Sequence, residues 1–564
     1  LNRGYFYQFN ADEETFLIAG GNQLRNQSGL TVQQSQAFRW VWDNTATFTK
    51  KVGEHDFTFL TGITAEKFNG SYISANRNEV PADPDLWYIG VGDANTSQNN
   101  GGGDAWARNS YLGRLNYSFK EKYLLTATAR VDGSSRLPSQ NRWQTFPSFG
   151  VGWLLSREGF MRNQKLFDLL KLRGSYGKVG NDQIPTNAFT QTVSLNRPYP
   201  FNGSVDPATN GAQINQIIDP DITWEITQEY DLAIEFGLFQ SKLTGEVNFY
   251  DKKVANALIN VPVPRTVGDA DGVILTNAAT IQNRGVEVLL NWKKRVSDNF
   301  TYSVGGNVTF NDNKVLALNG GQAIRGGGIG AAQGFTTLTV NDYPVGSFFV
   351  LETTGVFNTG DEVNAYTSSD GKIIQPTAKP GDFIYNDVNG DGVIDDEDRV
   401  FAGSYQPVAY FGLSGSVTVK NFDFSIDFYG NVGNEVYNGK KAVKVDGRDN
   451  VEKAVVYDRW TSANRTQTEP GANTGNQLAS TYFVESGTFV RINNLTIGYT
   501  FPTASLSKLK LTSLRAFATS QNLFTLKKYS GFTPELPGDP ISSGIELSAY
   551  PTTRTVAIGI SVGF

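Results

Sequence analysis

The sequence predicts an all-β protein, a transmembrane antiparallel up-and-down β-barrel, and two observations lead to this prediction. Apolar and polar side chains alternate along many segments, with the period of two that turns every second side chain to one face of a strand. The connections between these segments also alternate in length, short and then long, along the chain. A soluble β-sandwich would have the same side-chain alternation, but a Greek-key sandwich has no reason to keep the alternation of connections.

The side-chain alternation gives the predicted strands one apolar and one polar face. It is clearest at residues 301–310, 422–428 and 555–564. In the second of these segments Phe422, Phe424 and Phe428 alternate with Asp423 and Asp427. The two acids are expected to line a water-filled interior, although a plain solvated face would give the same pattern. The apolar runs span about 9–11 residues, which is enough for a tilted strand to cross the hydrocarbon layer.

The connections place the strands in order. From about residue 36 onward there are fifteen strand-like runs. Short connections are expected near residues 50–55, 119–122, 156–166, 239–242, 293–299, 419–422 and 501–509. Long connections are expected near residues 69–104, 133–143, 180–221, 254–279, 313–403, 434–481 and 527–549. Outer-membrane barrels have short periplasmic turns and longer extracellular loops, so we assign the large loops to the cell exterior. Aromatic residues near strand ends, such as Trp153, Trp292 and Tyr499, fit the rings that mark the membrane interfaces.

The composition excludes several classes of function. The 49 Lys and Arg against 55 Asp and Glu give a net charge of −6, which is not the basic footprint of a nucleic-acid binder. The chain has no Cys and one His, His55, so thiol catalysis and zinc-thiolate sites are excluded for the chain acting alone. Residues 559–563 (GISVG) match a serine-hydrolase pattern, but only Phe564 follows them and the segment alternates as a strand. We therefore predict no catalytic residues and no redox or nucleotide cofactor.

One loop predicts a structural calcium site. Residues 387–398 (DVNGDGVIDDED) follow the spacing of an EF-hand loop, with a glycine at the sixth position for the sharp turn. The candidate ligands are Asp387, Asn389, Asp391, the backbone carbonyl of Val393, Asp395 through water, and Asp398. Two features count against the site: the last position is Asp rather than Glu, and no flanking helices are evident. The alternative is a surface turn rich in Asp, Asn and Gly with solvated carboxylates.

Aromatic side chains in the long connections are candidates for contact with a cargo. They are Trp87, Tyr88, Trp460 and Tyr482. Flat rings beside polar groups bind the faces of sugars or peptides. The same rings would equally hold a large loop together or bind a partner protein, and the sequence leaves these alternatives open.

Several ordered motifs resemble the SusC/RagA family of TonB-dependent outer-membrane transporters. They lie at residues 146–153 (FPSFGVGW), 156–160 (SREGF), 170–177 (LKLRGSYG), 283–287 (NRGVE), 490–499 (VRINNLTIGY), 521–524 (QNLF) and 550–555 (YPTTRT), and the terminal Phe564 matches as well. The resemblance covers nearly the whole chain from about Gln36.

The resemblance implies a bacterial outer-membrane barrel of about 22 strands that is plugged by an N-terminal domain. It further implies import of oligosaccharides or peptides, driven by the proton-motive force through TonB, together with a SusD-like surface lipoprotein and possible pairing of two such complexes. The sequence departs from the family because it lacks the plug, the TonB box and the first strands. With one or two strands in residues 1–35, sixteen or seventeen strands are expected, and we interpret residues 1–564 as the C-terminal, barrel-forming part. Closure of the barrel by a second chain is the alternative.

Two other functional classes compete with transport. A soluble or surface-bound β-rich adhesin or glycan-binding module would share the composition and the strand pattern. An outer-membrane esterase or protease would share the barrel, but it would need nucleophile and base residues that this chain lacks.

Overall fold

A computed structural model describes most of the chain. The described residues are 2–10, 13–16, 22–25, 27–198, 210–214, 216–264, 266, 272–330, 333–445, 453–472, 474–506, 510–536, 538–547 and 549–564. Within them, sixteen strands form one antiparallel sheet in which every strand pairs with its neighbours in sequence. This agrees with the predicted strand number and with the predicted up-and-down order.

The strands of the sheet are numbered in chain order. They are β1 (Asn2–Asn10), β2 (Gly29–Val52), β3 (His55–Asn78), β4 (Gln98–Phe119), β5 (Tyr123–Ser134), β6 (Trp143–Leu154), β7 (Phe167–Asn181), β8 (Glu225–Leu238), β9 (Leu243–Pro262), β10 (Val273–Ser297), β11 (Phe300–Leu318), β12 (Ala409–Val419), β13 (Phe422–Val432), β14 (Phe489–Thr500), β15 (Ser513–Lys527) and β16 (Thr555–Gly563). Strands β1 and β16 stand at the two ends of the strand order.

The remaining elements lie in the connections. Small strands are Glu13–Phe16, Asn22–Arg25, Val193–Pro198, Asn210–Ile214, Ile324–Gly326, Thr337–Thr339, Ser347–Leu351, Thr353–Val356, Phe383–Tyr385, Arg399–Phe401, Glu435–Tyr437 and Val484–Ser486. The α-helices are Gly360–Ala365, Gly439–Lys444, Lys453–Asp458 and Thr503–Leu506. Short 3-10 turns are Pro84–Leu86, Ile89–Val91, Ala94–Thr96, Ser139–Asn141, Leu155–Arg157, Gly159–Met161, Asp396–Asp398, Thr474–Gln477 and Thr481–Phe483. None of the helices in the described residues has the length and apolar character that crossing a membrane would require.

The connections alternate in length as predicted except between β5 and β7, where residues 135–142, predicted to be long, are fewer than residues 155–166, predicted to be short. Residues 53–54, 120–122, 239–242, 298–299 and 420–421 are tight turns, while residues 319–408 and 433–488 form the largest loops. The strands reach further into the long connections than the apolar pattern predicts. Leu258 in β9 pairs with Asn277 in β10, inside the segment 254–279 that we expected to be a loop. Likewise β3 and β4 extend into the predicted loop 69–104, as far as Asn78 and from Gln98.

The predicted apolar face is continuous across neighbouring strands. Leu232, Phe249, Val286 and Phe310 are successive cross-strand partners in β8 to β11, and they are 62%, 45%, 37% and 51% exposed. Partners in an antiparallel pair project to the same side of the sheet, so these side chains form one exposed apolar ladder. We call this side of the sheet the apolar face and the opposite side the polar face. An exposed apolar surface of this extent fits contact with lipid rather than with water.

Aromatic rings line the apolar face beside the short connections. The ring of Phe119 lies 4.6 Å from that of His55 and 6.1 Å from that of Tyr123, whose ring lies 6.4 Å from that of Trp153. Further along the sheet, Trp292 donates a hydrogen bond of 3.1 Å from Nε1 to the Tyr302 hydroxyl. These rings form the band expected at a membrane interface.

The tightly packed cores lie among the long connections. The largest cluster of buried apolar residues draws on residues 319–408 and 433–488, with Phe348, Phe383, Tyr437 and Phe483 at its centre. In the described residues the sixteen-stranded sheet has no second large sheet packed on its apolar face, because the other sheets have only two to four strands. The β-sandwich alternative is therefore wrong for this chain.

Candidate functional site

The polar face carries a network of charged side chains in β7 to β10. The Arg173 guanidinium lies 2.8 Å from the Asp231 carboxylate and 3.1 Å from the Glu235 carboxylate, and it also pairs with Glu246. Asn248 donates hydrogen bonds of 2.9 and 3.1 Å to Asp231 and Glu287. Charged groups are common on the wall of a water-filled interior and costly in contact with lipid, so this face is the interior wall of the sheet.

The acids expected to line the interior follow the same pattern. Asp423 lies on the face opposite Phe422 and Phe424, which are 59% and 39% exposed. Its Oδ1 accepts a hydrogen bond of 3.0 Å from Nε of Arg515 in β15. Asp423 is therefore paired across β14 rather than free to bind a passing cation.

A pocket lies on the polar face where β12 and β13 meet the large loops. It holds about 410 Å³. Its lining residues are Tyr405, Gln406, Pro407, Tyr410, Tyr429, Asn431, Asn434, Val436, Pro534, Glu535, Leu536 and Gly544. The residues from β12 and β13 form its floor, and the loops 319–408, 433–488 and 528–554 provide its remaining walls.

This pocket was not predicted from the sequence, although one signal for it was visible. Tyr429 has the same parity as Asp423 and Asp427 in β13, so the alternation already assigned an aromatic ring to the polar face. Other lining residues, namely Pro534, Glu535, Leu536 and Gly544, come from a loop that follows these strands by many residues. A pairing between distant segments cannot be read from a local pattern.

In the predicted calcium loop, the side-chain oxygens accept hydrogen bonds from backbone amides. Asp387 accepts from the amides of Gly390 and Gly392 at 2.8 and 2.9 Å. Asp398 is fully buried, and its two oxygens accept from the amides of Val388 and Asp395 at 2.8 and 2.9 Å. The loop is thus stabilised in the manner of an Asx-rich turn.

The remaining candidate ligands make similar local bonds. Asn389 accepts from the amide of Asp391 at 2.9 Å, and Asp391 accepts from the amide of Val393 at 2.9 Å. Over the described ranges of the chain, no group of three or more His, Cys, Asp or Glu side chains is arranged to hold a metal ion. Asp398 occupies the position that closes an EF-hand loop, and both of its oxygens already have protein donors. Calcium binding by this loop stays a prediction.

The four candidate aromatic residues do not come together in one site. Trp87 stacks on Phe9 with ring centres 5.1 Å apart, while the neighbouring Tyr88 is 67% exposed. Both belong to the connection between β3 and β4, whereas Trp460 and Tyr482 lie in the loop 433–488.

Trp460 and Tyr482 pack their loop against the loop 319–408. Trp460 donates a hydrogen bond of 2.8 Å from Nε1 to Asn358 Oδ1. The ring of Tyr482 lies 4.7 Å from that of Phe383, and the Lys441 ammonium lies over it, 3.7 Å from the ring centre. Burial, together with a hydrogen bond to Glu469, raises the pKa of the Tyr482 hydroxyl. These contacts favour the alternative that both rings hold the large loops together. Cargo contact by any of the four candidate aromatic residues stays a prediction.

The two residues that resemble catalytic groups have structural surroundings. The His55 Nδ1 atom lies 2.8 Å from the Tyr117 hydroxyl, and the ring stacks on Phe119 in the aromatic band. Ser561 of the GISVG segment lies within β16 and pairs with Arg515 of β15. Ser561 is thus part of a regular strand, as predicted, and not of the strand-to-helix turn that a nucleophile elbow requires.

Comparison with known proteins identifies the family. The family model described as TonB dependent receptor-like, beta-barrel matches residues 1–374. The chain belongs to this family. It is therefore barrel-forming sequence of a TonB-dependent receptor of the outer membrane, and the family's proteins are transporters and not enzymes. The predicted fold, location and absence of an enzymatic role are confirmed.

Individual relatives show which TonB-dependent receptors the chain is similar to. The TonB-dependent receptor P26 of Formosa agariphila is 31% identical over 566 residues, covering 97% of this chain and 55% of that protein. The TonB-dependent receptor SusC of Bacteroides thetaiotaomicron is 29% identical over 469 residues, covering 81% of this chain and 43% of that protein. This TonB-dependent receptor barrel thus spans about half the length of the curated relatives it matches.

The solved structures agree in fold. The RagAB peptide importer in its 'closed-closed' state aligns with a TM-score of 0.80 at 20% identity, covering 100% of this chain and 59% of that one. The structure of the RagAB peptide transporter aligns with a TM-score of 0.79 at 21% identity, covering 95% and 57%. The SusC/RagA resemblance of the TonB-dependent receptor barrel is confirmed.

Proposed function

We propose that this chain is the barrel wall of a SusC-like importer that takes up oligosaccharides or peptides across the outer membrane. The observation that carries the proposal is the division of the sheet into an exposed apolar face and a polar face with paired charges. A wall of this kind separates lipid from a water-filled passage. The family's proteins are transporters and not enzymes, so we assign to the wall the role of admitting and guiding a cargo.

We further propose that TonB drives import by displacing a plug domain of the full-length protein, and that a SusD-like lipoprotein covers the outer mouth. The family membership and the large loops 319–408 and 433–488 support these partners. Because the loops are packed around their own core, they can present a stable surface to a lid. We also propose that two importer–lipoprotein pairs assemble into one complex.

Uptake by living cells tests the proposal. Cells with the full-length protein should accumulate a fluorescent oligosaccharide or peptide, and they should lose this ability when a protonophore removes the proton-motive force. Deletion of the TonB box should have the same effect while leaving barrel assembly intact on heated and unheated gels. Uptake that is unaffected by both treatments would overturn the proposal.

The adhesin alternative makes the opposite prediction. A surface adhesin would bind its ligand at the cell surface in energised and de-energised cells alike, and none of the ligand would become resistant to an external quencher. The exposed apolar ladder already argues against a water-soluble module.

A further inference from the structure

The pocket on the polar face has the composition of a binding site for a neutral, hydroxyl-rich ligand. Tyr405, Tyr410 and Tyr429 line a cavity of about 410 Å³ with three aromatic side chains, and the Tyr405 hydroxyl accepts a hydrogen bond of 2.9 Å from Gln406. An aromatic ring binds the apolar C–H face of a sugar, and a phenol hydroxyl can both donate and accept a hydrogen bond. Rings and polar groups converging on one cavity are the usual marks of a ligand pocket.

Two amide side chains in the lining are buried without a complete set of partners. Asn431 and Asn434 are 6% and 3% exposed. In the part of the chain that the structure describes, the Oδ1 atom of each accepts no hydrogen bond. A buried acceptor without a donor costs free energy, and most native proteins satisfy such groups. Both oxygens are closed off from solvent, so a ligand that brings O–H donors would supply the missing hydrogen bonds once these side chains rotate toward it.

The charge in the pocket is already compensated. Glu535 is the one acidic residue among the lining residues, and its carboxylate lies 2.5 Å from the guanidinium of Arg491, which is itself 6% exposed. Arg491 is held in turn by a hydrogen bond of 2.9 Å to Thr525. The pocket therefore offers no free charge to a carboxylate or an ammonium group, such as the two ends of a peptide.

The strands in the floor also disfavour an extended peptide. Peptides often bind by adding a strand to an open sheet edge. Here β12 is paired with β11 and β13, and β13 is paired with β12 and β14. Backbone groups at the pocket floor are thus already used, and recognition must come from side chains.

We propose that this pocket is a cargo subsite that binds a sugar unit of a neutral oligosaccharide, with Tyr429 as the stacking ring and Asn431 and Asn434 as acceptors for its hydroxyl groups. The inference rests on the proposed import function and specifies its cargo class. Because the pocket lies where the wall meets the outer loops, the subsite would hold the cargo before it enters the barrel.

Calorimetry on the full-length protein in detergent tests the subsite. The probes are neutral hexasaccharides of glucose, xylose and mannose, and an uncharged hexapeptide with blocked ends. At least one hexasaccharide should bind, and Asn431→Ala and Tyr429→Ala should each weaken that binding by tenfold or more. Asn307→Ala is the matched control, because Asn307 is an exposed amide on the same face that lies outside the pocket lining. It should leave the affinity within twofold of the original.

The possible outcomes are distinct. Binding of the hexapeptide that is lost in Asn431→Ala would overturn the sugar assignment in favour of a peptide subsite. If no hexasaccharide binds, or if all three variants bind equally, the proposed subsite is wrong. Energy-dependent uptake of any cargo by cells with Asn431→Ala would leave the import function standing in either case. Absence of uptake by the unaltered protein would count against the import function itself.

Discussion

The Tyr123 hydroxyl donates a hydrogen bond of 2.7 Å to the Glu158 carboxylate, which ties the first residue of β5 to the connection that follows β6. The same carboxylate oxygen accepts a bond of 3.1 Å from the indole Nε1 of Trp153, and the other oxygen lies 3.1 Å from Lys122. One acid in the SREGF segment thus anchors two rings of the aromatic band. This short connection needs an acid because the Glu158 carboxylate accepts from Tyr123 and Trp153 and pairs with Lys122.

Replacing Glu158 by Gln should loosen this end of the sheet. The side chain keeps its size, but the bonds to Tyr123 and Trp153 lose their charge assistance and the Lys122 ammonium loses its counter-ion. The refolded variant should unfold at a lower temperature at pH 7, as judged by the shift between the compact and unfolded bands on a gel. The control is Glu121→Gln, since Glu121 forms an exposed pair with Arg157. An unchanged midpoint in Glu158→Gln would contradict the anchoring role.

The same carboxylate predicts a pH dependence. Hydrogen bonds from Tyr123, Trp153 and Lys122 lower the pKa of Glu158 from 4.5 to about 2. A depressed folded-state pKa adds stability above the ordinary value of the group, and this stability is lost as the pH falls through the folded value. The difference between the original protein and Glu158→Gln should therefore be complete above about pH 4.5 and vanish near pH 2. A difference that grows on acidification would be evidence against this assignment.

The two faces of β16 should respond in opposite ways to a charge. Ile558 is 86% exposed on the apolar face, next in the ladder to Ala518 of β15, while the adjacent Ala557 projects to the polar face. An Arg in contact with the middle of the lipid layer costs about 2–4 kcal/mol, whereas an Arg on the wet side costs little. Ile558→Arg should reduce insertion into lipid vesicles and Ala557→Arg should not. Equal insertion of both variants would mean that the apolar face is not in lipid.

The sequence predicted those features that depend on local pattern. The turn at residues 239–242 and the opposite placement of Phe422 and Asp423 follow from alternation and spacing, because lipid on one side and water on the other force a strict period of two. The extension of β9 to Pro262 was missed, since beyond the lipid a strand is held by backbone pairing and need not alternate. The pocket was missed because Tyr429 and Glu535 meet only after the loops have folded.

The Arg173 network should be sensitive to loss of its cation. Arg173→Ala would leave Asp231, Glu235 and Glu246 facing one another with Lys171 as the remaining nearby cation, which pairs with Glu235 at 2.9 Å. Since the Arg173 side chain is 32% exposed, water screens part of the repulsion, and we expect a loss of about 1–2 kcal/mol. Urea unfolding in detergent measures it.

Two further variants make the Arg173 prediction specific. Glu246→Gln added to Arg173→Ala should restore part of the lost stability, because it removes one of the crowded carboxylates. Arg295→Ala should cost little, since Arg295 and Asp298 form a pair whose side chains are 68% and 94% exposed. Equal losses in Arg173→Ala and Arg295→Ala would indicate that the network contributes nothing beyond an ordinary surface pair.

The loop 387–398 should bind calcium. The loop concentrates Asp387, Asp391, Asp395 and Asp398 within twelve positions, and a cation would relieve their mutual repulsion. Because the oxygens of Asp398 already accept backbone hydrogen bonds, we expect weak binding, in the range of about 10⁻⁴–10⁻³ M that extracellular sites show. Calcium titrated into the full-length protein should release or absorb heat that is absent from the double variant Asp387→Ala and Asp391→Ala. Identical heats in the two proteins would mean that these carboxylates only stabilise a turn.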